Sequence, residues 1–234
     1  MRKTAVCLIL TLLVFLNGNL YGQGRIAEVI DTPTANPVDF GSYSLSFRFY
    51  EGGSILTRLF YGMIMRDLTL GLSFDAENVA GSGRISPRRP FLYVKMPLYG
   101  GGRVLPAVSL GYDEQGFGRY DSDTESYQYK PLGFFLVFTG SGIAPGLSAG
   151  GGVNADYAAG GGSEKIKGFL NAAYTIGPEF ILTGEVSSIG DEPYGGLGFR
   201  YLLRPELHFE LAVINIGGAG KTERILRATY KGAF

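Results

Sequence analysis

The last eight residues alternate between polar side chains and small or apolar ones, in the order Arg227, Ala228, Thr229, Tyr230, Lys231, Gly232, Ala233, Phe234. Successive side chains of a strand point to opposite faces, so positions 228, 230, 232 and 234 share one face. An apolar face opposite a polar one, ending on an aromatic residue, is typical of the closing strand of a bacterial outer-membrane β-barrel. We therefore expect Phe234 to act as an assembly signal.

The same alternation recurs over most of the chain and predicts twelve strands. Each has about the length that a tilted strand needs to cross the hydrocarbon core of a membrane. The predicted strands are residues 43–50, 55–65, 68–75, 91–98, 103–112, 132–139, 147–157, 165–176, 179–187, 195–203, 206–216 and 223–234. Pro97 and Pro106 fall inside two of them and are expected to mark bulges, because proline cannot donate a ladder hydrogen bond.

The predicted connections differ in length between the two ends of the barrel. If the first strand runs outward, the longest connections, 76–90 and 113–131, lie at the outer end. The inner connections are residues 66–67, 99–102, 140–146, 177–178 and 204–205. Bacterial barrels have short periplasmic turns, longer outer loops and an even number of strands. The connections therefore support an all-β, single antiparallel transmembrane barrel of about twelve strands.

The N-terminus has the pattern of a secretory signal peptide, predicted over residues 1–22. Arg2 and Lys3 precede an apolar run at 5–16, which is followed by small and polar residues. This run is shorter than the ~20 residues of a transmembrane helix. We interpret residues 23–41 as a periplasmic lead-in or partial plug and 42–234 as the barrel. The expected location is the outer membrane of a Gram-negative-type envelope.

The composition is apolar for a chain so rich in glycine. Hydrophobic residues make up 45% and the mean hydropathy is +0.12, although there are 37 glycines. A barrel explains this, because its apolar band is spread over many strands. A soluble β-sandwich would also alternate, but the signal peptide, the loop lengths and Phe234 favour the barrel. The net charge is +0; neither a nucleic-acid partner nor a cofactor is expected.

Charged side chains on the predicted inner face are the candidate pore lining. They are Arg48, Arg58, Lys95, Glu185, Arg200, His208, Glu210, Arg227 and Lys231. Two tight hairpins would place Glu210 between Arg200 and Arg227. Arg48 and Arg58 are expected to face each other across the first hairpin. Because the first strand must close on the last, these two arginines would join Arg227 and Lys231 in one basic wall.

Two interpretations of this inner face remain open. It could line a pore that prefers anionic solutes. It could equally be a charge network that fills a narrow lumen and holds the wall together. Twelve strands lie between small barrels filled by side chains and wide barrels with an aqueous channel, so the strand count does not decide between them.

The two long outer loops form a second candidate site. Loop 76–90 is basic, whereas loop 113–131 is acidic and rich in tyrosine. The loops could pair to form a lid. Alternatively, aromatic rings flanked by carboxylates could bind a sugar or Ca²⁺. The candidate binding residues are Tyr120, Asp121, Asp123 and Tyr127.

An enzyme is not expected. A hydrolytic site would need serine with histidine, or paired carboxylates with histidine. The only histidine, His208, lies on the predicted inner face, so a Ser–His pair facing lipid is not available. The sequence shows no metal-binding cluster.

Several short segments resemble the YjbH-like outer-membrane proteins, a family associated with exopolysaccharide production and secretion. They are Ile30-Asp31-Thr32-Pro33-Thr34-Ala35, Leu105-Pro106-Ala107, Gly111-Tyr112-Asp113, Gly116-Phe117-Gly118 and Gly198-Phe199-Arg200-Tyr201. Members of that family are longer, and this chain has room for one barrel. The resemblance implies polysaccharide as a partner, besides membrane lipid and the assembly machinery. It assigns no catalytic residue.

Three functional hypotheses follow from these observations. The first is a small channel or export conduit linked to exopolysaccharide. The second is a structural or surface-binding barrel with a charge-filled lumen and no transport. The third is the membrane anchor of a larger assembly.

Overall fold

Twelve antiparallel strands form a closed barrel, as predicted. The computed structural model describes residues 26–63, 68–102, 104–121, 126–129, 132–155, 166–218 and 220–234. The barrel strands are β1 Ser42–Tyr50, β2 Ser54–Gly62, β3 Thr69–Glu77, β4 Phe91–Tyr99, β5 Ala107–Asp113, β6 Gly133–Ala144, β7 Leu147–Ala155, β8 Ile166–Ile176, β9 Phe180–Ile189, β10 Tyr194–Leu202, β11 Leu207–Ile216 and β12 Glu223–Ala233. Each strand pairs with its neighbours in the chain, and β1 closes the ring on β12.

The outer surface of the barrel is apolar on every strand. Exposed outward side chains, one from each of β1 to β12 in order, are Phe47, Leu59, Leu72, Leu92, Leu110, Phe138, Val153, Leu170, Leu182, Leu197, Leu211 and Leu226. A continuous apolar belt of this extent is what a lipid-facing barrel presents. The inward side chains between them are largely polar and buried. No helix in the described part of the chain is long and apolar enough to cross a membrane.

Most strand bounds lie within three residues of the predicted ones, and two differ by more, the start of β5 and the end of β6. Strand β5 begins at Ala107, so Pro106 precedes the strand and does not mark the bulge that was expected within it; its missing N–H therefore costs no ladder hydrogen bond. Pro97 stays inside β4 beside a shift in register, the bulge that was expected. Strand β6 continues through the predicted turn, so only 145–146 connect it to β7. Predicted strand positions 64–65, 103, 156–157 and 165 lie outside the described residues, as does the predicted signal peptide.

Residues 26–38, here called the lumen segment, run inside the barrel. They turn back on themselves: the amide of Val29 donates to the carbonyl of Thr32 at 2.9 Å, and that of Thr34 to the carbonyl of Ala27 at 3.0 Å. Residues 29–35 are all buried. Both ends of the segment border a cavity at the barrel end that carries the short connections. The tip of the segment, around Asp31, therefore points toward the opposite end.

A second element enters the barrel from the end with the long loops. The strands Phe117–Asp121 and Ser126–Tyr129 pair with each other, separately from the barrel sheet, and are here called the loop hairpin. Phe117 and Tyr129 are buried in one hydrophobic cluster with Val29 and Ile30 of the lumen segment. The lumen is thus filled from both ends.

Gly62 lies where the chain passes from the lumen segment to the wall. A Cβ at this position would lie 2.1 Å from the carbonyl oxygen of Asp39 and 2.5 Å from that of Val38. We expect Gly62→Ala to displace this backbone and to lower the stability of the barrel by about 1–3 kcal/mol, as overpacking does. The measurement is the urea midpoint of the heat-modifiable band in gel electrophoresis. Gly140→Ala is the control, because its added Cβ would meet nothing closer than 3.9 Å. Equal midpoints for the two variants would contradict the prediction.

Candidate functional site

The candidate pore-lining residues all point into the lumen. Eight of them are buried, and Lys231 is half-buried: Arg48, Arg58, Lys95, Glu185, Arg200, His208, Glu210, Arg227, Lys231. Instead of lining an open pore, most of them contact the lumen segment. The sequence predicted the charged inner face and the partial plug as separate features. In the structure the two are in contact and form one site.

Glu185 of β9 holds the tip of the lumen segment by its backbone. Its Oε2 accepts hydrogen bonds from the amides of Ile30 at 3.1 Å, Asp31 at 3.0 Å and Thr32 at 3.0 Å, and from the Thr32 hydroxyl at 2.8 Å. Successive backbone N–H groups that converge in this way form an anion-binding nest. The Glu185 carboxylate is the anion that fills it.

The arginines of the basic wall pair with carboxylates of the lumen segment and, in the case of Arg58, also with Asp113 of β5. Arg48 forms an ion pair with Asp31, and Arg227 Nη2 lies 3.6 Å from the same carboxylate. Arg58 Nη1 lies 2.7 Å from Glu28 Oε1. The charges that would attract an anionic solute are thus occupied by acidic groups of the same chain.

The strand register corrects one detail of the predicted wall. Arg48 stands opposite Arg227, as strand closure requires, but Arg58 stands opposite Ser46 and not opposite Arg48. The prediction that the two arginines of the first hairpin face each other was wrong by two residues. The tight turn Glu51–Gly53 pairs Tyr50 with Ser54, and this pairing sets the offset.

The predicted cluster around Glu210 is present. Glu210 Oε2 lies 3.0 Å from Arg200 Nη2 and 3.4 Å from Arg227 Nη1. Arg200 Nη2 also donates to the carbonyl of Val29 at 2.8 Å. Glu210 therefore orients one arginine that contacts the segment's backbone and one that lies near its Asp31.

The contacts to the segment are completed by Lys95, a predicted lining residue, and by uncharged polar residues that sequence reasoning missed. Lys95 Nζ donates to the carbonyls of Ala27 and Thr34, at 3.1 and 3.0 Å. The other contacts are Ser109 and Thr139 with Ala35, Thr69 with Val38, and Asn171 with Thr32 and Pro33. Strands β1–β6, β8–β10 and β12 each supply at least one partner. A buried irregular backbone needs such partners, because it has no ladder of its own.

The two outer loops contact each other, as the lid interpretation predicts. The guanidinium carbon of Arg88 is 3.8 Å from the centre of the Tyr120 ring, and Arg88 Nη2 also lies 2.7 Å from Glu77 Oε2 of its own loop. Arg89 lies 2.6 Å from Glu114. The basic loop therefore contacts the tyrosine-rich loop at two places, at Glu114 near its start and at Tyr120 in the loop hairpin.

The candidate loop-binding residues have different surroundings. Tyr127 is buried, and its hydroxyl donates to Asp75 Oδ2 at 2.8 Å. Burial raises the pKa of Tyr127 well above its ordinary value, so the phenol stays protonated and can donate. Tyr120 is half-buried beneath Arg88, and Asp121 ends its strand of the loop hairpin. Asp123 lies outside the described residues.

A cavity of about 1210 Å³ opens at the end with the short connections. Its border carries both signs of charge: Asp39, Glu179, Arg200, Arg204, Glu206, His208 and Lys231. His208 Nε2 is 2.8 Å from the carbonyl oxygen of Pro205. Within the described residues, no group of three His, Cys, Asp or Glu side chains could hold a metal ion. The site can therefore be described as a wide vestibule closed on its inner side by the lumen segment.

This architecture defines a twelve-stranded barrel of the outer-membrane type with an internally closed lumen. No family model matches the chain, and no curated protein matches it. Among solved structures it is similar to the KdgM porin, with a TM-score of 0.53 at 11% identity over 81% of this chain and 98% of that one. The KdgM porin in complex with disordered oligogalacturonate has a TM-score of 0.52 at 11% identity, again over 81% of this chain and 98% of that one. An outer membrane channel from Pseudomonas putida F1 gives 0.48 at 11% identity, over 87% of this chain and 100% of that one.

Proposed function

We propose that this protein is an outer-membrane channel that the lumen segment closes at rest. Its cargo is a small anionic carbohydrate, and an acidic exopolysaccharide is the source of that carbohydrate. The observation that carries the proposal is the origin of the neutralising charges. Arg48 points into the lumen and pairs with Asp31 of the segment, whereas Arg58 pairs both with Glu28 of the segment and with Asp113 of the wall.

The closed state is also a state that can open. Both ends of the lumen segment lie at the wide vestibule, so the segment can leave the lumen without passing through the wall. When it leaves, Asp31 and Glu28 leave with it, while Arg48, Arg58 and Arg227 stay on the inner face. Loss of these two carboxylates makes the inner face more positive than it is in the closed state, and this change favours anions.

Similarity supports the choice of cargo. One structural neighbour is a porin whose complex holds an oligogalacturonate, a carbohydrate that carries carboxylates. The segment 30–35, which carries part of the resemblance to YjbH-like proteins, contains the tip of the lumen segment. The first supports an acidic carbohydrate as the cargo, and the second supports a polysaccharide as its source.

The outer membrane is the proposed location. The apolar belt needs a lipid phase, and a closed sheet is one of the two structures that leave no backbone group unsatisfied there. Phe234 is 95% exposed beside β1, with its ring 5.1 Å from that of Tyr43. That position leaves the terminal aromatic accessible to the assembly machinery, in keeping with its proposed role as a signal.

A reversible cross-link tests the closed state. Ser109 Oγ donates to the carbonyl of Ala35 at 2.7 Å, and both residues are buried. We expect the double variant Ala35→Cys with Ser109→Cys to hold the lumen segment in place when oxidised and to release it when reduced. In planar bilayers, openings should be absent under oxidising conditions and should return on addition of dithiothreitol. Gel mobility and a thiol assay establish that the barrel is folded and the disulfide formed.

The single variant Ser109→Cys is the matched control, and its conductance should not respond to the reductant. Conductance that is equal in the oxidised and reduced double variant would contradict a closing role for the segment. No conductance in any form would instead favour the second candidate, a structural barrel with a filled lumen. That candidate has its own support in the many strands that contact the segment.

A further inference from the structure

Two guanidinium groups stand directly opposite each other at the seam where the barrel closes. Arg48 of β1 and Arg227 of β12 are cross-strand partners. Both face the lumen, and they are 3% and 8% exposed. Like charges in directly opposite positions destabilise a sheet, and a buried charge needs a partner. The pair therefore requires an anion between its members.

At rest that anion is Asp31. Its carboxylate accepts from both terminal nitrogens of Arg48, the second at 3.4 Å, and lies 3.6 Å from Arg227 Nη2. Arg227 has a second partner in Glu210. Within the described residues, Asp31 is the carboxylate that forms an ion pair with Arg48. Arg227 therefore has an ion-pair partner in the wall, whereas the ion-pair partner of Arg48 belongs to the lumen segment, and the wall carboxylate Glu223 acts on Arg48 only from beyond ion-pair distance.

The form of the pocket suits a carboxylate better than a halide ion. The Arg48 guanidinium presents two N–H groups to the two oxygens of Asp31, the forked arrangement that recognises planar carboxylates. One flat face of the Arg48 guanidinium lies over the Phe117 ring of the loop hairpin, with the guanidinium carbon 4.7 Å from the ring centre. This ring fixes the plane of the guanidinium. A fixed plane favours a planar carboxylate, whereas a spherical halide ion would gain nothing from it.

We propose that Arg48 and Arg227 form a carboxylate-binding site of the lumen, which Asp31 occupies at rest as an internal substitute for the carboxylate of an acidic sugar. The inference rests on the proposed channel and adds the site at which its cargo is recognised. An arriving uronate competes with Asp31 for the two guanidinium groups. The lumen segment is displaced because the same groups cannot serve both carboxylates.

The full chain with Asp31→Asn tests this site. Asparagine keeps the size of the side chain and the backbone bonds to Glu185, but it removes the charge. The folded variant should bind trigalacturonate at least about tenfold more tightly than the wild type, because a tethered competitor at millimolar effective concentration is lost. Titration calorimetry in detergent measures this affinity without requiring conductance. Neutral maltotriose should show no gain.

Two further variants exclude a general loosening of the segment. Glu28→Gln also removes a carboxylate of the lumen segment, but one that pairs with Arg58. It weakens the hold on the segment and leaves the tethered competitor in place, so its gain in affinity for the acidic trimer should stay well below that of Asp31→Asn. Adding Arg227→Gln to Asp31→Asn should abolish the gain. Equal gains in Asp31→Asn and Glu28→Gln, or a gain that survives Arg227→Gln, would overturn the proposal.

The wild type provides a measurement that does not depend on folding of a variant. Trigalacturonate, but not maltotriose, should accelerate hydrogen exchange of the amides at 30–32, and unchanged exchange at saturating trimer would overturn the proposal. Bilayer recording distinguishes the proposed channel from the proposed carboxylate-binding site. Binding in Asp31→Asn without conductance in any variant retains the site and rejects the channel. Conductance with no preference between the acidic and the neutral trimer retains the channel and rejects the site.

Discussion

Replacing Glu185 with glutamine is expected to release the tip of the lumen segment. The glutamine amide cannot act as the charged acceptor for the amides of Ile30, Asp31 and Thr32. Hydrogen bonds to charged groups contribute about 1.5–3 kcal/mol each. A net loss of about 3 kcal/mol would raise the population of the released segment roughly a hundredfold.

Hydrogen exchange read by mass spectrometry measures this effect at residues 29–32. Under the channel proposal, the open probability in bilayers should rise in parallel. Glu179→Gln is the matched control, because Glu179 precedes the same strand and is exposed at the barrel end. Exchange that stays as slow in Glu185→Gln as in Glu179→Gln would show that the carboxylate does not hold the segment.

The second large effect is expected at Arg58. Its guanidinium joins Glu28 at 2.7 Å, Asp113 at 2.8 Å and Ser73 at 3.2 Å. Methionine has a similar length but leaves the carboxylates of Glu28 and Asp113 without their cation. Breaking a buried ion pair in this way lowers the free energy of unfolding by about 3–5 kcal/mol. The urea midpoint of the folded band should therefore fall far more for Arg58→Met than for an exposed arginine.

Arg89→Met provides that exposed reference. Its side chain is 68% exposed although it lies 2.6 Å from Glu114, and such surface pairs contribute about 0–1 kcal/mol. Adding Glu28→Gln and Asp113→Asn to Arg58→Met should restore much of the lost stability, because no unpaired charge remains. A triple variant as unstable as the single one would show that Arg58 acts through its packing on Phe60, 4.8 Å away, and not through its charge.

The wall of the barrel could be predicted from the sequence because its determinants are local. Alternation with a period of two identifies a strand and its lipid-facing side. Tight turns then set the register of neighbouring strands, so the ion pairs of Glu210 followed from chain positions alone. Prediction failed where the turn was misjudged, as in the first hairpin, whose turn Glu51–Gly53 offsets Arg58 from Arg48.

The content of the lumen could not be predicted to the same extent. The lumen segment has no period, and its partners are far away in the chain: Thr32 and Glu185 are separated by 153 residues. Contacts of this kind depend on the closed wall and leave no pattern in a single sequence. The inner polar residues Ser109 and Thr139 lie on predicted strands, but nothing indicated that a backbone would meet them. The fold of the loop hairpin into the lumen was missed for the same reason.

The seam between β1 and β12 also sets an order of events during folding. Arg227 donates to the carbonyl of Ile30, a contact that spans 197 residues and involves the last strand of the chain. The lumen segment precedes all twelve strands in the chain, yet its binding site is not complete until β12 has arrived. Docking of the segment must therefore accompany or follow ring closure, a late and slow step because its contacts are the most distant in sequence. Ring closure brings Arg48 and Arg227 together, and docking of Asp31 then removes the repulsion between them, so the segment that blocks the finished barrel also helps to seal it.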